Sequence, residues 1–148
     1  MTKKTEAAKK TMASGYNCAQ SVLTTFAPDM ELSRHDALRV AGPFGAGMGL
    51  MGNVCGAVTG AFMAIGLRYA KTNDDENDAK HKGYQLVQEF SKKFTEKHGT
   101  IQCKELIGLD LNTEEGYATA VDSGIFKTEC IQYVEDATAI LEELLGEV

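Results

Sequence analysis

The chain has 148 residues, a net charge of −6, 43% hydrophobic residues and 24% charged residues, a composition typical of a globular protein that buries its own core. The acidic balance, without a Lys/Arg cluster interleaved with aromatic residues, excludes nucleic acid as an expected partner. The sequence contains no linker, internal repeat or low-complexity segment, so we expect a single domain over residues 1–148.

The first third of the chain predicts three helices, because its apolar residues recur at helical spacing. The first helix runs from about Lys3 to Ala13. The second carries the segment "CAQSVLTTF" and ends before Pro28. Ser33 is placed to cap a third helix, "RHDALRVA", which stops at the glycine-rich segment "GPFGAGMG".

The stretch from Val40 to Leu67 carries no charged residue and is long enough to span a bilayer. However, it contains Pro43, Asn53 and eight glycines, and its first half is too rich in glycine for a continuous helix. We therefore expect no membrane span. The stretch instead predicts a glycine-rich loop followed by a buried helix, "VCGAVTGAFMAIGLRYA", with Asn53 as its cap.

The second half of the chain predicts the remaining helices. The acidic segment "KTNDDENDAK" begins a long helix that ends near Lys97, with Gly99 after its last turn. Thr100, Thr113 and Thr128 are placed to cap the segments "IQCKELIG", "EEGYATAVDS" and "ECIQYVEDATAILEELL". The sum is an all-α fold, a single-domain bundle of six to seven helices.

Glycines four residues apart dominate the central segment. On one helix, Gly52, Gly56, Gly60 and Ala64 would form a nearly bare ridge that another helix could approach closely. Such a ridge offsets the cost of about 1 kcal/mol that each glycine imposes on a helix. It could serve the core of a monomer or the interface of a homodimer.

The four cysteines share a position relative to the predicted helices. No CxxC pair occurs, which argues against a thioredoxin motif or a zinc ribbon. The first turn of a helix has free N–H groups and the positive end of the helix dipole, both of which stabilise a thiolate. The cysteines fall in or near such turns: Cys55 after Asn53, Cys103 after Thr100, Cys130 after Thr128, and Cys18 after Ser14 or Asn17.

These residues also carry a resemblance to a known family. The segment "GYNCAQSVL", the motif "CGAVTG" at 55–60, and the distant Cys103 and Cys130 resemble the family of redox-active proteins named after the pattern C_GCAxxG_C_C. The resemblance covers nearly the whole chain. It implies a small helical thiol protein with redox or metal chemistry, whose functional positions are Cys18, Cys55, Cys103 and Cys130, with Gly56 and Gly60 as packing residues.

Three functions remain open at this stage. The first is a thiol–disulfide redox protein, with Cys55 as the attacking thiolate and no further cofactor. The second is a centre in which all four cysteines ligate an iron–sulfur cluster or zinc. The third is a structural or partner-binding helical module. For the redox functions the sequence identifies neither the electron donor nor the acceptor.

The chain shows no apolar segment near its N-terminus that would predict a signal peptide. We therefore expect a cytoplasmic protein, whose cysteines are reduced or oxidised only transiently.

Overall fold

The computed structural model describes residues 2–72 and 76–146, without the side chains of 70–72, 76 and 77. This part of the chain folds into helices, and its only extended pairing is an isolated bridge between Val54 and Gln102. The helices are α1 (Lys3–Ala13), α2 (Cys18–Phe26), α3 (Arg34–Ala41), α4 (Gly56–Thr72), α5 (Glu76–His98), α6 (Cys103–Ile107), α7 (Glu114–Ser123) and α8 (Glu129–Leu145).

The predicted all-α fold is confirmed, and the eight helices of the described part are close to the six or seven expected. The bounds of α1 agree with the prediction. Ser33 and Thr113 are side-chain caps, since their hydroxyl oxygens accept from the N–H groups of Asp36 and Gly116. Part of the acidic segment expected to begin α5, residues 73–75, lies outside the described residues.

Three predicted caps are wrong. Helix α4 begins at Gly56, so Asn53 lies outside it. Helix α6 begins after Gln102, so Thr100 does not cap it. The Thr100 hydroxyl oxygen instead accepts from the Gln102 N–H in a tight turn. Thr128 does precede α8, but its hydroxyl donates back to the Gly124 carbonyl and caps nothing.

The bundle core lies where α2 crosses α4. Large side chains that are fully buried fill it, from α2, α4, α5 and α8: Phe26, Leu23, Val58, Ile65, Phe90, Phe94, Val134 and Leu141. Gly60 allows the close approach, since a Cβ at this position would lie 2.7 Å from the Ala19 carbonyl oxygen on α2. The predicted ridge is therefore real at Gly56 and Gly60, but Gly52 is not part of it, because it precedes the helix with a φ of 71°.

The glycine-rich segment before α4 forms a left-handed turn. Residues 46–50 all have φ between 56° and 69°, and three of them are not glycine: Ala46, Met48 and Leu50. Each such residue costs about 1–2 kcal/mol relative to right-handed backbone, and strain of this kind often lies at functional sites. Only glycine fits at position 47, because a Cβ there would lie 2.7 Å from both Cys103 Cβ and Asn53 N.

In the described part of the chain, no helix combines the length and the apolar character needed to cross a membrane.

Candidate functional site

The four cysteines, which are far apart in the sequence, line one cavity of about 570 Å³. All are free thiols; Cys18, Cys55 and Cys103 are buried and Cys130 is half-buried. The cavity lies between the start of α2, the left-handed turn, and the region where α6 and α8 begin. All four thiols that the sequence predicted to gather therefore line one cavity.

Cys18 is the first residue of α2, and a capping box fixes that helix start. The Asn17 side-chain oxygen accepts from the Gln20 N–H at 2.9 Å, and the Gln20 side-chain oxygen accepts from the Asn17 N–H at 3.0 Å. The Asn17 amide also donates to the Gly42 carbonyl at 2.9 Å, and that of Gln20 to the Leu38 carbonyl at 2.9 Å. These bonds join α2 to α3 and to Gly42, which lines the cavity together with Asn17.

The isolated bridge places Cys55 beside Cys103. The Cys55 N–H donates to the Ile101 carbonyl at 2.8 Å, and the Cys103 N–H donates to the Asn53 carbonyl at 2.6 Å. In such antiparallel pairing, Cys55 lies opposite Ile101, and Cys103 lies two residues further on the same strand face. The pairing therefore directs both thiols to one side, toward the cavity that they line.

Cys130 is the second residue of α8 and also lines the cavity. One turn later, the Tyr133 hydroxyl donates to the Leu106 carbonyl of α6 at 2.9 Å. This bond fixes α8 against α6, so that Cys130 and Cys103 share the same cavity wall.

The pKa values of the neighbouring thiols Cys18 and Cys55 shift in opposite directions. A hydrogen bond from the Cys55 thiol lowers the pKa of Cys18 to about 6, with help from the backbone N–H groups of Ala46, Ala19 and Cys18 and against the effect of burial. The same hydrogen bond and burial raise the pKa of Cys55 well above its usual value. At neutral pH, Cys18 is therefore the thiolate and Cys55 its proton-bearing partner.

The other two thiols are poor acids. Burial, and then the charge of Cys18, raise the pKa of Cys103 to about 11. Burial also raises the pKa of Cys130 to about 12, with smaller contributions from Cys18, Cys103 and Glu129. A helix start alone therefore does not make these two thiols acidic, because burial outweighs it. Within the other pair, the pKa directions favour Cys18 as the thiolate and not Cys55, the thiolate that the sequence favoured.

The described residues do not fit the four-thiolate metal centre that the sequence left open. No three His, Cys, Asp or Glu side chains in this part of the chain are close enough to hold a metal ion. The four cysteines line a cavity of about 570 Å³, but no three of them form a group that could ligate one ion.

Three elements of the site were missed in the sequence. Gln20 completes the box that holds Cys18, Ala46 supplies an N–H to its sulfur, and Tyr133 fixes the far wall. Only Gln20 had a readable signal, the spacing Asn-x-x-Gln in "NCAQ". The N–H of Ala46 depends on left-handed backbone, which the residue type alanine does not predict.

A helical bundle that gathers four free cysteines from separate segments around one cavity defines a thiol protein of the redox class. A family described as "Putative redox-active protein (C_GCAxxG_C_C)" matches residues 16–144, which include all four cysteines and both packing glycines. The chain belongs to this family. No curated protein and no solved structure matches it.

Proposed function

We propose that this protein carries out thiol–disulfide exchange, with Cys18 as the attacking thiolate and Cys55 as the resolving thiol. The observation that supports this most is the hydrogen-bonded pair itself, in which the pKa of Cys18 is lowered and that of Cys55 is raised. Exchange needs a thiolate for the first attack and a neighbouring thiol for the second. Both sulfurs face the same cavity, so a substrate disulfide can reach them.

In this proposal, Cys103 and Cys130 are a second redox pair. Both line the cavity, and both remain protonated at neutral pH, since burial raises the pKa of each. They would therefore react more slowly than Cys18, because the thiolate is the nucleophile.

Oxidation of the reduced protein by bis(2-hydroxyethyl) disulfide, a small neutral disulfide, tests the proposal. Two of the four thiols should be lost first, and peptide mapping should locate the new bond between Cys18 and Cys55. The variant Cys55→Ser should stop at a mixed disulfide on Cys18, visible as added mass. The variant Cys130→Ser is the matched control and should still close the Cys18–Cys55 bond.

Two results would contradict the proposed roles. One is unchanged oxidation in Cys18→Ser. The other is a first disulfide that joins Cys103 to Cys130 and leaves Cys18 and Cys55 reduced.

A further inference from the structure

The thiols are recessed, which restricts the substrates that can reach them. Only 8% of Cys18, 5% of Cys55 and 7% of Cys103 is exposed. Exchange requires the attacking sulfur to line up with both sulfurs of the target disulfide. A disulfide held in a folded protein cannot enter the cavity to do so, whereas a free small molecule can, since about 570 Å³ lies within the range of ligand sites.

The cavity wall is largely apolar. Aliphatic and aromatic side chains such as Met12, Leu106, Ile107 and Phe126 line it. At its surface, the lining residues Leu50 and Tyr117 remain 39% and 43% exposed. Burying such exposed apolar side chains against the hydrocarbon part of a ligand is favourable. The wall therefore favours a substrate with an apolar body.

One positive charge lies at this wall. Apart from the Cys18 thiolate, Lys127 is the single charged side chain among the described lining residues. It is exposed, and within the described part of the chain no carboxylate pairs with it at ion-pair distance. A lysine so placed attracts one anionic group on a ligand whose apolar part occupies the cavity.

We propose that the substrate is a small-molecule disulfide with an apolar body and a single anionic group. This inference rests on the proposed thiol–disulfide function and names its substrate class. A cyclic disulfide with an aliphatic carboxylate tail, such as lipoate, has this chemistry and serves as the probe.

The exchange balances in two steps. The Cys18 thiolate attacks one substrate sulfur: a bond forms between them, the substrate disulfide breaks, and the second sulfur leaves as a thiolate that takes the proton of Cys55. The Cys55 thiolate then attacks Cys18 Sγ, which forms the Cys18–Cys55 disulfide and releases the first substrate sulfur as a thiolate. The substrate gains two electrons, the protein loses two, and a small external dithiol such as dithiothreitol restores the protein.

The test compares rates of Cys18–Cys55 formation in the reduced full-length protein, measured by quenching and mass spectrometry. The probes are lipoate, its uncharged amide, oxidised glutathione, and the disulfides of insulin. Each rate is divided by the rate at which dithiothreitol reduces the same probe. This ratio corrects for differences between the probes in ring strain and in the acidity of the leaving thiol. The normalised rate with lipoate should exceed those with oxidised glutathione and insulin by about tenfold or more.

The lysine is tested by Lys127→Gln, with Lys92→Gln as the matched control, since Lys92 is an exposed lysine away from the cavity. Lys127→Gln should slow lipoate by about two- to fivefold, the effect of one exposed charge pair, and leave the amide unchanged. Lys92→Gln should change neither rate.

The outcomes separate the two proposals. Equal normalised rates for all probes, or a faster rate with insulin, would overturn the substrate class while the exchange function stands. If Lys127→Gln changes the rates with lipoate and with its amide by the same factor, the anionic group is overturned. If neither these probes nor bis(2-hydroxyethyl) disulfide produces the Cys18–Cys55 bond, the exchange function fails, and the substrate class with it.

Discussion

Replacing Gly60 by alanine should destabilise the fold, although alanine is the better helix former. The new Cβ would lie 2.7 Å from the Ala19 carbonyl oxygen and 3.2 Å from Ala19 Cα. These are backbone atoms of α2 and cannot rotate away, so the two helices must separate. Overpacking of this kind costs about 1–3 kcal/mol, and the helix propensity of alanine returns about 1 kcal/mol. We expect a net loss of up to about 2 kcal/mol in the free energy of unfolding.

The same helix provides the control. Gly66 is exposed on α4, and a Cβ there would meet nothing within 4 Å. Gly66→Ala should therefore stabilise the protein by about 0.5–1 kcal/mol. Urea unfolding of both variants under reducing conditions, followed by far-ultraviolet circular dichroism, measures the difference. A Gly60→Ala variant as stable as Gly66→Ala would refute the close packing of α2 on α4.

Three further predictions concern the thiols. The alkylation rate of Cys18 by iodoacetamide should rise with a midpoint near pH 6, the pKa of about 6. Since the folded chain loses this proton before the unfolded one does, the free energy of unfolding should rise between about pH 6 and 8 in the wild type but not in Cys18→Ser. Above about pH 8 it should fall in both, because Cys103 and Cys130 keep protons in the folded chain that the unfolded chain loses. Asn17→Ala removes the cap of α2 and the bond to Gly42. It should lower the free energy of unfolding by about 1–2 kcal/mol and slow the alkylation of Cys18. The control Ser33→Ala removes the α3 cap and should cost about 1 kcal/mol with no change in alkylation. Gly56→Ala places a Cβ against Cys18 Sγ and should slow disulfide formation by about tenfold or more in a quench assay, whereas equal rates in Gly56→Ala and Gly66→Ala would contradict the contact.

Helix existence could be predicted because it depends on local periodicity and caps. Ser33 and Thr113 cap as expected, since their bonds reach only three residues along the chain. Thr100 and Asn53 do not, because the tertiary bridge between Val54 and Gln102 holds both neighbouring segments extended. A pairing between residues so far apart leaves no trace in either segment alone.

The gathering of the thiols could be predicted, but their acidities could not. The sequence favoured Cys55 as the attacking thiolate, whereas the acidity depends on which sulfur receives hydrogen bonds. One donor, Ala46, lies in a left-handed turn that costs energy locally and is held by the surrounding packing. Burial of Cys103 and Cys130 likewise follows from helix packing and not from their neighbours in sequence.

The core also contains a polar cluster that periodicity does not predict. The buried carboxylate of Asp136 on α8 accepts from His98 at 2.8 Å, from Lys97 at 3.1 Å and from Gln132 at 3.0 Å. His98 is the last residue of α5, so the cluster ties the end of that helix to α8, the helix that carries Cys130.

Each sulfur comes from a different segment of the chain, so the reactive centre exists only after the last of those segments has packed against the others. A newly synthesised or thermally unfolded chain carries four cysteines with the ordinary acidity of free cysteine, about pKa 8.5. Such thiols react slowly with alkylating reagents below neutral pH. Rapid alkylation of Cys18 at mildly acidic pH would therefore count the native molecules in a mixed population. The rate of this single reaction reports how much of the protein has folded.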